Sequence, residues 1–508
     1  MNLGGAYGFG RLDYRNSGYH CPMLKPADLY DRDREWTALE QFVSSDKPGS
    51  TLGLVYGRRR QGKTYLLQSL TEATNGFYFA ALRQSSIQNL DRLAETYRTH
   101  TRSRARVNFQ NWEEALDALL ALGENADTPI VVALDEFPYL LEVAPELPSV
   151  LQALLSPRGT AANQWRTRLL LCGSALSTMR GLLAGTAPLR GRSALDLTIH
   201  PFGYRDAAGY WNVAHDPALA MQLHALIGGT PAYLDMSGGE PPRSLDSFDA
   251  WVAATLLNPA SAMFREGNVL LSEEDRITDT TPYLAVLAAI SSGATRRGEI
   301  AAAVGRPADA LAHPLTVLTE ARLIRPLADA LKQKRTTYHV AEPIVTLNEL
   351  IIRPNEPRLA RHQAEAVWAQ TADTVSAKIY GPHFEELART WCAEHADVAS
   401  LGGQPDLVAA TQIACREHGR THEIDVVVID KTPNQANRIA TIGEAKWQQQ
   451  PSGPAQLTRL EHLRELLDAD GARLLLFSRS GFTAELTATA RARADLELVD
   501  VARLYTGS

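Results

Sequence analysis

Short apolar segments alternate with helical segments along the first two hundred residues of this chain. The apolar segments are rich in Leu or β-branched residues, and five of them predict buried strands: Thr51–Tyr56, Gly76–Leu82, Ile130–Leu134, Arg168–Cys172 and Leu195–Ile199. Between them, Thr64–Leu70 opens a predicted helix and Asn111–Leu122 has helical spacing. Strands that alternate with helices predict an α/β fold with a parallel sheet covered on both faces.

The pattern changes beyond residue 202. From about 202 to 275 the strands stop, and Ala- and Leu-rich helical segments predict a helical lid. Residues 280–340 predict three helices followed by a β-hairpin, at Tyr283–Ser291, Arg297–Val304, Ala308–Glu320, Leu323–Leu327 and Thr336–Val340. Pro354–Pro357 is typical of a linker, and a second α/β unit follows it, with predicted strands at 422–429, 438–444 and 472–477.

These segments predict five regions. They are an N-terminal arm at 1–28, an α/β core at 29–201, a helical lid at 202–278, a three-helix and hairpin module at 279–352, and a C-terminal α/β domain at 353–508. A length of 508 residues is consistent with about three domains of roughly 150 residues.

Composition narrows the class of protein without identifying it. The net charge of −7 argues against a protein that coats nucleic acid indiscriminately, although a local basic groove is compatible with it. No secretory signal and no apolar run of roughly 18 residues is found, so we expect a cytoplasmic protein without a membrane partner. The four cysteines and the scattered histidines do not predict a metal site.

The segment from Gly57 to Thr64 reads Gly-Arg-Arg-Arg-Gln-Gly-Lys-Thr and matches G-x-x-x-x-G-K-[ST] at every fixed position, between a predicted strand and a predicted helix. Gly57 and Gly62 allow a loop whose backbone N–H groups point at phosphate oxygens. Lys63 would reach the β- and γ-phosphates, and Thr64 would ligate Mg²⁺. We therefore predict an ATP site, and its further contacts would come from Arg58, Gln61 and Tyr65.

A second strand ends in carboxylates that suit such a site. Ile130–Leu134 leads into Asp135 and Glu136. Asp135 would bind Mg²⁺, and Glu136 would orient or deprotonate the attacking water. Alone, the segment would be an ordinary buried strand with a solvated acidic end. The next predicted strand ends at Ser174, which is placed either to contact the γ-phosphate or simply to form a turn.

The order of these motifs resembles the archaeal-type DEXX-box ATPases, relatives of the AAA+ and STAND nucleotide switches. The resemblance covers about residues 28–350 and is carried by Tyr30–Glu35, Gly57–Thr64, Asp135–Leu140, Gly173–Ser174, Pro188–Arg192 and Gly228–Leu234. It implies that Arg32 and Glu35 lie near the adenine and that Ser174 is a polar sensor. It also implies that Arg192 approaches the γ-phosphate, in cis or from a neighbouring subunit of a homo-oligomer; the alternative is a plain surface arginine.

The resemblance also places a winged helix at residues 279–352. Its functional interpretation is docking on duplex DNA, with a helix in the major groove and the wing on the backbone. The predicted third helix has few positive side chains, so a scaffold that does not bind DNA is the alternative. Positive charge near the wing comes from Arg322, Arg325, Lys332, Lys334 and Arg335.

The C-terminal domain contains a second candidate site. Asp425 lies on an apolar strand, and Glu444-Ala-Lys446 ends another strand about nineteen residues later. This arrangement resembles the PD-(D/E)XK motif of restriction-endonuclease-like nucleases, except that Ile424 stands where the motif has proline. The two carboxylates would bind Mg²⁺, and Lys446, on the same face as Glu444, would orient water or stabilise charge. Glu385, on the predicted helix Gly381–Trp391, would add a carboxylate, and Gln456 is a weaker candidate.

Two functions follow from these sites. The first is an ATPase coupled to a DNA-binding, Mg²⁺-dependent nuclease-like domain, with DNA favoured over RNA as the partner and a setting in defence or mobile-element control suggested by analogy. The second is a regulatory or signalling ATPase, in which the winged helix and an idle nuclease-like fold only bind DNA or a protein. Solvated acidic strand ends without any metal are the remaining interpretation of Asp425 and Glu444.

Overall fold

The computed structural model of the chain describes residues 23–159, 161, 164–272, 274, 277, 279–332, 334–431 and 437–507. Most of the N-terminal arm expected at 1–28, including Cys21, lies outside the described residues. The chain divides into two compact units. The first comprises Met1–Val55, Thr64–Cys172 and Leu182–Leu197, and the second comprises Tyr56–Lys63, Gly173–Gly181 and Thr198–Ser508.

The predicted N-terminal sheet is present. Its strands are β1 (Thr51–Tyr56), β2 (Phe77–Ala80), β3 (Ile130–Asp135), β4 (Thr167–Gly173) and β5 (Ser193–Thr198). The strand order is β2-β3-β4-β1-β5, and the pairs β2–β3 and β3–β4 are parallel. β1 and β4 are buried along their whole length, which is the burial expected of strands covered on both faces of a sheet.

Helices accompany this sheet along the chain. They are α1 (Asp33–Val43), α2 (Lys63–Thr74), α3 (Ser86–His100), α4 (Trp112–Leu120) with a 3₁₀ turn at Ala121–Gly123, α5 (Phe137–Val143), α6 (Leu147–Leu154) and α7 (Leu176–Gly181). Local sequence fixes where several of them begin. Ser85 and Gln88 form a capping box at α3, and the Asn111 side chain accepts a hydrogen bond from the Glu114 N–H at α4.

Beyond β5 the chain is helical, as the sequence predicts. The helices are α8 (Tyr204–Tyr210), α9 (Pro217–Ile227), α10 (Tyr233–Met236), α11 (Leu245–Thr255), a 3₁₀ turn at Ala262–Arg265, and α12 (Glu266–Ser272). Three further helices and a hairpin follow: α13 (Thr281–Ser291), α14 (Arg297–Val304), a 3₁₀ turn at Ala308–Leu311, α15 (Ala312–Glu320), β6 (Ile324–Ala328) and β7 (Thr336–Val340). β6 and β7 pair antiparallel, with Pro326 opposite Tyr338.

The linker expected at Pro354–Pro357 is helical instead. The segment contains α16 (Pro343–Leu347), a π-helical turn at Asn348–Ile352 and α17 (Arg353–Leu359). The π-helical turn ends at Ile352, two residues before Pro354. The Asn355 side chain donates to the Ile351 carbonyl at 2.9 Å, so a side chain binds a carbonyl in a stretch where proline supplies no N–H. Buried Leu359 and Ile351 also anchor this helix.

Helices α18 to α21 lead to the C-terminal sheet. They are α18 (Ala364–Gln370), α19 (Ala372–Val375), a π-helical turn at Ser376–Tyr380, α20 (Gly381–Glu394) and α21 (Val398–Leu401). The sheet region contains β8 (Leu407–Cys415), β9 (Arg420–Asp430), β10 (Arg438–Lys446), α22 (Pro454–Leu466), β11 (Arg473–Ser478), α23 (Ala484–Ala492), β12 (Leu496–Asp500) and α24 (Val501–Thr506).

The C-terminal sheet is mixed, with the order β12-β11-β10-β9-β8. β8, β9 and β10 form an antiparallel meander, while β10, β11 and β12 are parallel. The three predicted strands correspond to β9, β10 and β11, whereas the sequence analysis did not predict β8 and β12. In the described part of the chain, no helix has both the length and the apolar character needed to cross a bilayer.

Candidate functional sites

The glycines of the Gly57–Thr64 loop meet two different backbone requirements. A Cβ atom on Gly57 would lie 2.4 Å from the carbonyl oxygen of Ile199, so no side chain fits there without moving backbone. Gly62 has φ +82°, in the left-handed region that favours glycine, and directly precedes α2. Gly62 therefore connects the loop to the N-terminus of α2, and a helix N-terminus preceded by a glycine-rich loop is a common place for an anion to bind.

Lys63 begins α2 and is buried. Its ammonium group donates to the backbone carbonyl of Arg58, five residues earlier, at 2.7 Å. The loop thus holds the lysine charge close to its own backbone, the place where the β- and γ-phosphates of a nucleotide bind in loops of this type.

Thr64 and Asp135 are directly hydrogen-bonded. The Thr64 hydroxyl donates to Oδ2 of Asp135 at 2.7 Å, and Asp135 is 1% exposed at the end of β3. Tyr78 donates to the same oxygen at 2.9 Å, and the Glu136 N–H donates to Oδ1 at 2.8 Å. Burial, followed by the charge of Asp135, raises the pKa of Tyr78, which therefore remains a donor. A hydroxyl and a carboxylate at this distance are suitable oxygen ligands for Mg²⁺.

Glu136 lies at the junction of β3 and α5. It has φ +50°, an uncommon value for a residue other than glycine, asparagine or aspartate, and it is the residue before the first turn of α5. In this backbone conformation, the N–H of Glu136 donates a hydrogen bond to the side chain of Asp135. The backbone therefore turns sharply between the end of β3 and the first turn of α5.

The three arginines of the loop form contacts in the second unit. Arg58 pairs with Glu342 at 2.5 Å, and Arg60 pairs with Glu266 at 3.0 Å. Both carboxylates are buried, and burial raises the pKa of Glu342 while Arg58 opposes the shift. Arg59 donates to the hydroxyl of Ser174 at 3.3 Å. The loop is thereby connected to α12 and to the residue that precedes α16.

The other residues predicted around the nucleotide have separate local contacts. Arg32 has φ +68° and donates to Glu35 at 3.1 Å, and both flank the start of α1. Tyr65 is exposed and donates to Asp28 at 2.5 Å. Arg192 donates to the Leu155 carbonyl at 3.1 Å. Gln61 is buried within the loop, where its Oε1 would lie 3.0 Å from a Cβ on Gly57. Their roles toward a nucleotide remain predictions.

The C-terminal candidate residues meet on β9, β10 and α20. Asp425 and Glu444 are buried on the neighbouring antiparallel strands, and Asp425 Oδ2 accepts from the Ala445 N–H at 2.8 Å. Lys446 Nζ lies 2.5 Å from Glu444 Oε1, and Arg459 Nε lies 3.0 Å from the same oxygen. Within the described residues, neither carboxylate oxygen of Glu444 has a hydrogen-bond partner in good geometry.

Glu385 belongs to the same electrostatic cluster. Burial, followed by the charge of Asp425, raises the pKa of Glu385 to about 7, while Arg389 and Lys446 act in the opposite direction. Burial also raises the pKa of Asp425 to about 6, against the Ala445 N–H and Lys446. Arg389 donates to the Asp425 carbonyl at 2.8 Å. Carboxylates that repel one another in a buried position favour either a proton or a cation between them.

Most of the positive side chains expected on the wing contact other parts of the second unit. Arg325 pairs with Glu386, Lys332 donates to the Gln412 carbonyl at 2.6 Å, and Arg335 lies 3.9 Å from Asp329. Arg322 contacts the His200 ring at 3.1 Å, while Lys334 is exposed. The hairpin also bonds to β8, through Ala330 N–H to the Ala410 carbonyl at 3.0 Å and Thr411 to Asp329 at 2.7 Å.

Several site residues escaped the sequence analysis. Tyr78, Arg389 and Arg459 each contact a candidate carboxylate residue, but isolated tyrosines and arginines gave no sequence signal. Gln456 accepts from the Gly453 N–H at 2.9 Å and so caps its own helix. The sequence analysis found no metal-ligand spacing among the cysteines and histidines, yet Cys415 and three histidines lie close together. The C-x₂-H-x₃-H spacing of residues 415–422 was the available signal.

Comparisons with known proteins find similarity to part of this chain. Residues 29–234 match a family model described as an ATPase domain predominantly from Archaea. The uncharacterized protein MJECL04 of Methanocaldococcus jannaschii is 24% identical over 329 residues, which covers 64% of this chain and 69% of that protein. The Walker-type ATPase PABY2304 of Pyrococcus abyssi is 19% identical with a TM-score of 0.47, covering 63% of this chain and 96% of that one. The ORC2 protein of Aeropyrum pernix in its ADPNP–ADP complexes is 18% identical with a TM-score of 0.43, covering 68% and 96%.

The phosphate loop, the Thr64–Asp135 pair and the match over residues 29–234 define the class of protein. Residues 29–234 therefore match an archaeal-type ATPase domain and contain a P-loop. The resemblance seen in the sequence is supported for this part of the chain.

Proposed function

We propose that this ATPase uses its nucleotide state to control a Mg²⁺-dependent nuclease site in the C-terminal mixed-sheet domain. The observation that carries the proposal is the cluster of Asp425, Glu444 and Glu385 with Lys446 beside it. The PD-(D/E)XK resemblance implies a helix with a glutamate, then a strand with an aspartate and a strand with Glu-x-Lys. Glu385 on α20, Asp425 on β9, and Glu444 and Lys446 on β10 follow that order.

In the ATPase domain, Mg²⁺ would be held by Thr64 and Asp135, with the triphosphate on the loop. Their 2.7 Å hydrogen bond brings the two oxygen ligands together. Lys63 would neutralise charge on the β- and γ-phosphates, and Glu136 would orient the attacking water or remove its proton. The bound metal would supply the neutralisation of charge that develops on the phosphates.

In the C-terminal domain, the residues fit a hard divalent cation. Oε1 of Glu444 already forms ion pairs with Lys446 and Arg459. Oε2 is buried without a hydrogen-bond partner among the described residues, so it is the oxygen that a divalent cation would satisfy. Asp425 and Glu385 add oxygen ligands of the kind that Mg²⁺ prefers. The metal would polarise a phosphodiester, while Lys446, whose pairing with Glu444 places it at the cluster, would stabilise charge on the phosphate.

A cleft of about 360 Å³ borders the cluster and has Glu385 and Glu423 in its wall. Its other walls come from the β6–β7 hairpin, α20 and β8, and they include Arg296, Arg325, Arg335 and Arg389. The volume lies in the range of small-ligand pockets, so a nucleotide or a short single strand could occupy the cleft. We therefore infer a DNA end or a displaced strand as substrate, ahead of an intact duplex.

Purified full-length protein tests this proposal. We expect it to cut a single-stranded or frayed DNA substrate in the presence of Mg²⁺ and ATP, and Asp425→Asn and Lys446→Ala to reduce the cleavage rate by at least about 100-fold. Asp470→Asn changes an exposed acidic residue in the same domain and serves as the matched control. Its cleavage rate should equal that of wild type, and all variants should keep wild-type ATP hydrolysis.

The regulatory ATPase is the second candidate, and one observation favours it. The wing arginines and Lys332 are engaged within the second unit, so the hairpin offers a duplex little positive charge. Wild-type protein that hydrolyses ATP but cuts no single strand, frayed end or plasmid with Mg²⁺ or Mn²⁺ would replace the nuclease proposal with this one. Cleavage that persists in Asp425→Asn would instead indicate a contaminating nuclease.

A further inference from the structure

Four metal-binding side chains meet at one end of the C-terminal sheet, outside the two sites described above. They are Cys415 at the end of β8, His418 in the turn, His422 on β9 and His462 on α22. One potential ligand atom from each lies within 4.8 Å of every other. Cys415 and His422 are buried, His462 is half-buried and His418 is exposed.

Sheet geometry explains how the set assembles. Ile413 pairs with His422 across the β8–β9 ladder, and Cys415 is two residues beyond Ile413, so Cys415 and His422 share one face of the hairpin. α22 covers that face, because Leu460 and Leu463 pack in the same apolar cluster as Ile424. The helix thereby brings His462 to the two strand residues, and the short turn brings His418.

The distances are close to those of a tetrahedral zinc site. Zn–S bonds of about 2.3 Å and Zn–N bonds of about 2.0–2.1 Å give tetrahedron edges of about 3.6 Å between sulfur and nitrogen and about 3.3 Å between nitrogens. Cys415 Sγ lies 3.2 Å from His418 Nδ1 and 3.4 Å from His462 Nε2. The ring centroids of the three histidines are 4.9–5.8 Å apart, with the rings steeply inclined to one another.

A hydrogen-bonded thiol–imidazole cluster is the alternative, but it leaves one group unsatisfied. Nε2 of His422 is buried without a hydrogen-bond partner among the described residues, and such an atom costs about 1–3 kcal/mol. The Glu417 carboxylate lies 3.9 Å from Nδ1 of His462, the ring nitrogen opposite the one that faces Cys415. Carboxylates in that position commonly orient metal-bound histidines.

We propose that Cys415, His418, His422 and His462 bind a structural Zn²⁺ ion that fastens the β8–β9 hairpin to α22. One thiolate and three imidazoles suit Zn²⁺ and do not suit Mg²⁺, which prefers oxygen. Four protein ligands close the coordination sphere, so the ion supports structure and leaves no position for substrate. Asp425 follows His422 by three residues, and Arg459 precedes His462 by three, so the ion braces both elements that flank the Glu444 cluster.

The test uses full-length protein prepared without a polyhistidine tag, stripped of metal and titrated with Co²⁺ and then Zn²⁺. We expect one equivalent of Co²⁺ to give an intense tetrahedral spectrum with a thiolate charge-transfer band, which Zn²⁺ then displaces. Co²⁺ at the carboxylates of Asp425 and Glu444 would lack the thiolate band, so the two metal sites are distinguishable. Elemental analysis of protein as purified should identify about one zinc per chain, a check needed because the intrinsic affinity order also favours copper.

Two variants locate the ion. Cys415→Ser should remove the charge-transfer band, and His418→Ala should weaken Zn²⁺ binding at least about 100-fold in competition with a chromogenic chelator, since loss of even an outer partner costs 10–100-fold. His418 is exposed, so its variant should fold even if Cys415→Ser does not. His215→Ala, at another exposed histidine, is the matched control and should bind as wild type does. Wild-type affinity in His418→Ala, or a wild-type chain that binds no equivalent of Zn²⁺, would overturn the proposal.

Discussion

The backbone of Glu136 stands out at the scale of single residues. Its φ of +50° costs conformational energy, and such conformations cluster where a side chain must be aimed for function. The preceding carboxylate is already engaged, because Asp135 accepts from Thr64, Tyr78 and the Glu136 N–H. Three hydrogen bonds therefore hold Asp135 in place, and we propose Glu136, the residue that follows it, as the acid–base group.

Substitution of Glu136 separates ATP binding from ATP hydrolysis. We expect Glu136→Gln to keep nucleotide affinity and lower the turnover number by about 10²–10⁴, whereas Lys63→Ala should lose nucleotide binding. The measurements are fluorescent-nucleotide titration and phosphate release. Glu142→Gln, on α5 in an exposed pair with Arg83, is the control and should turn over normally. Equal turnover in Glu136→Gln and wild type would remove this role from Glu136.

The buried carboxylates of the C-terminal cluster predict a pH-dependent stability. The pKa values of Glu385 and Asp425 are raised to about 7 and about 6, so the folded chain binds more protons than the unfolded chain above pH 4. The contribution of these two groups to stability is therefore fully present below their unfolded pKa values and is lost as pH rises toward 7. Mg²⁺ should offset this loss, because it replaces the protons.

Thermal unfolding midpoints at pH 5 and pH 8, with and without Mg²⁺, measure this effect. Glu385→Gln removes one titrating carboxylate and keeps nearly the same side-chain shape. The thermal unfolding midpoint of this variant should therefore fall less between pH 5 and pH 8 than that of wild type. It should also gain less from Mg²⁺ at pH 8. Identical pH profiles for Glu385→Gln and wild type would show that the cluster does not set the pH dependence.

At the scale of elements, sequence prediction succeeded where burial is continuous. β1, β3 and β4 are buried almost throughout, as are β10 and β11 in the second sheet, and all five were predicted. β8 and β12 are partly buried edge strands and were missed, whereas β2 and β5, which are also partly buried edge strands, were predicted. Position at a sheet edge therefore weakens the sequence signal without removing it.

The candidate sites differ in how close together their residues lie in the sequence. The Gly57–Thr64 loop could be predicted because its chemistry is contiguous in sequence. The Cys415 cluster could not, since His462 arrives from a helix forty residues after His422 and only the fold brings it near. The helical Pro354–Pro357 segment was missed because a preceding π-helical turn and the Asn355 side chain accommodate prolines that ordinarily end a helix.

The pair between Arg58 and Glu342 links the phosphate loop to the start of α16. Both side chains are buried, so Arg58→Met alone leaves an uncompensated carboxylate and should cost about 3 kcal/mol. The double variant Arg58→Met/Glu342→Gln removes both charges and should recover most of the lost thermal stability. Additive losses in the double variant would mean that the pair is not coupled. Arg98→Met, from an exposed pair with Glu95, should change stability little.

At the scale of the molecule, the phosphate loop groups with the C-terminal modules. Residues 56–63 and 173–181 belong to the same compact unit as residues 198–508. Within that unit, Arg58 and Arg60 connect the loop to Glu342 and Glu266, and the Lys63 ammonium is bonded to the Arg58 carbonyl. A nucleotide whose phosphates bind the Lys63 ammonium would therefore compete with the hydrogen bond from Lys63 to the Arg58 carbonyl. Arg58 and Arg60, which form the two ion pairs, belong to the same loop.

Hydrogen exchange followed by mass spectrometry tests this coupling. With ATP in the Glu136→Gln background, we expect exchange in residues 262–272 and 341–347 to change by at least about fivefold, since allosteric coupling is typically 1–3 kcal/mol. Adding Arg60→Met should abolish the change at 262–272 while ATP binding persists, because Glu266 loses its link to the loop. Adding Arg98→Met instead should preserve it. The contrary outcome is that ATP changes exchange at the phosphate loop but not at residues 262–272 or 341–347. The ion pairs would then stabilise the fold without transmitting the nucleotide state.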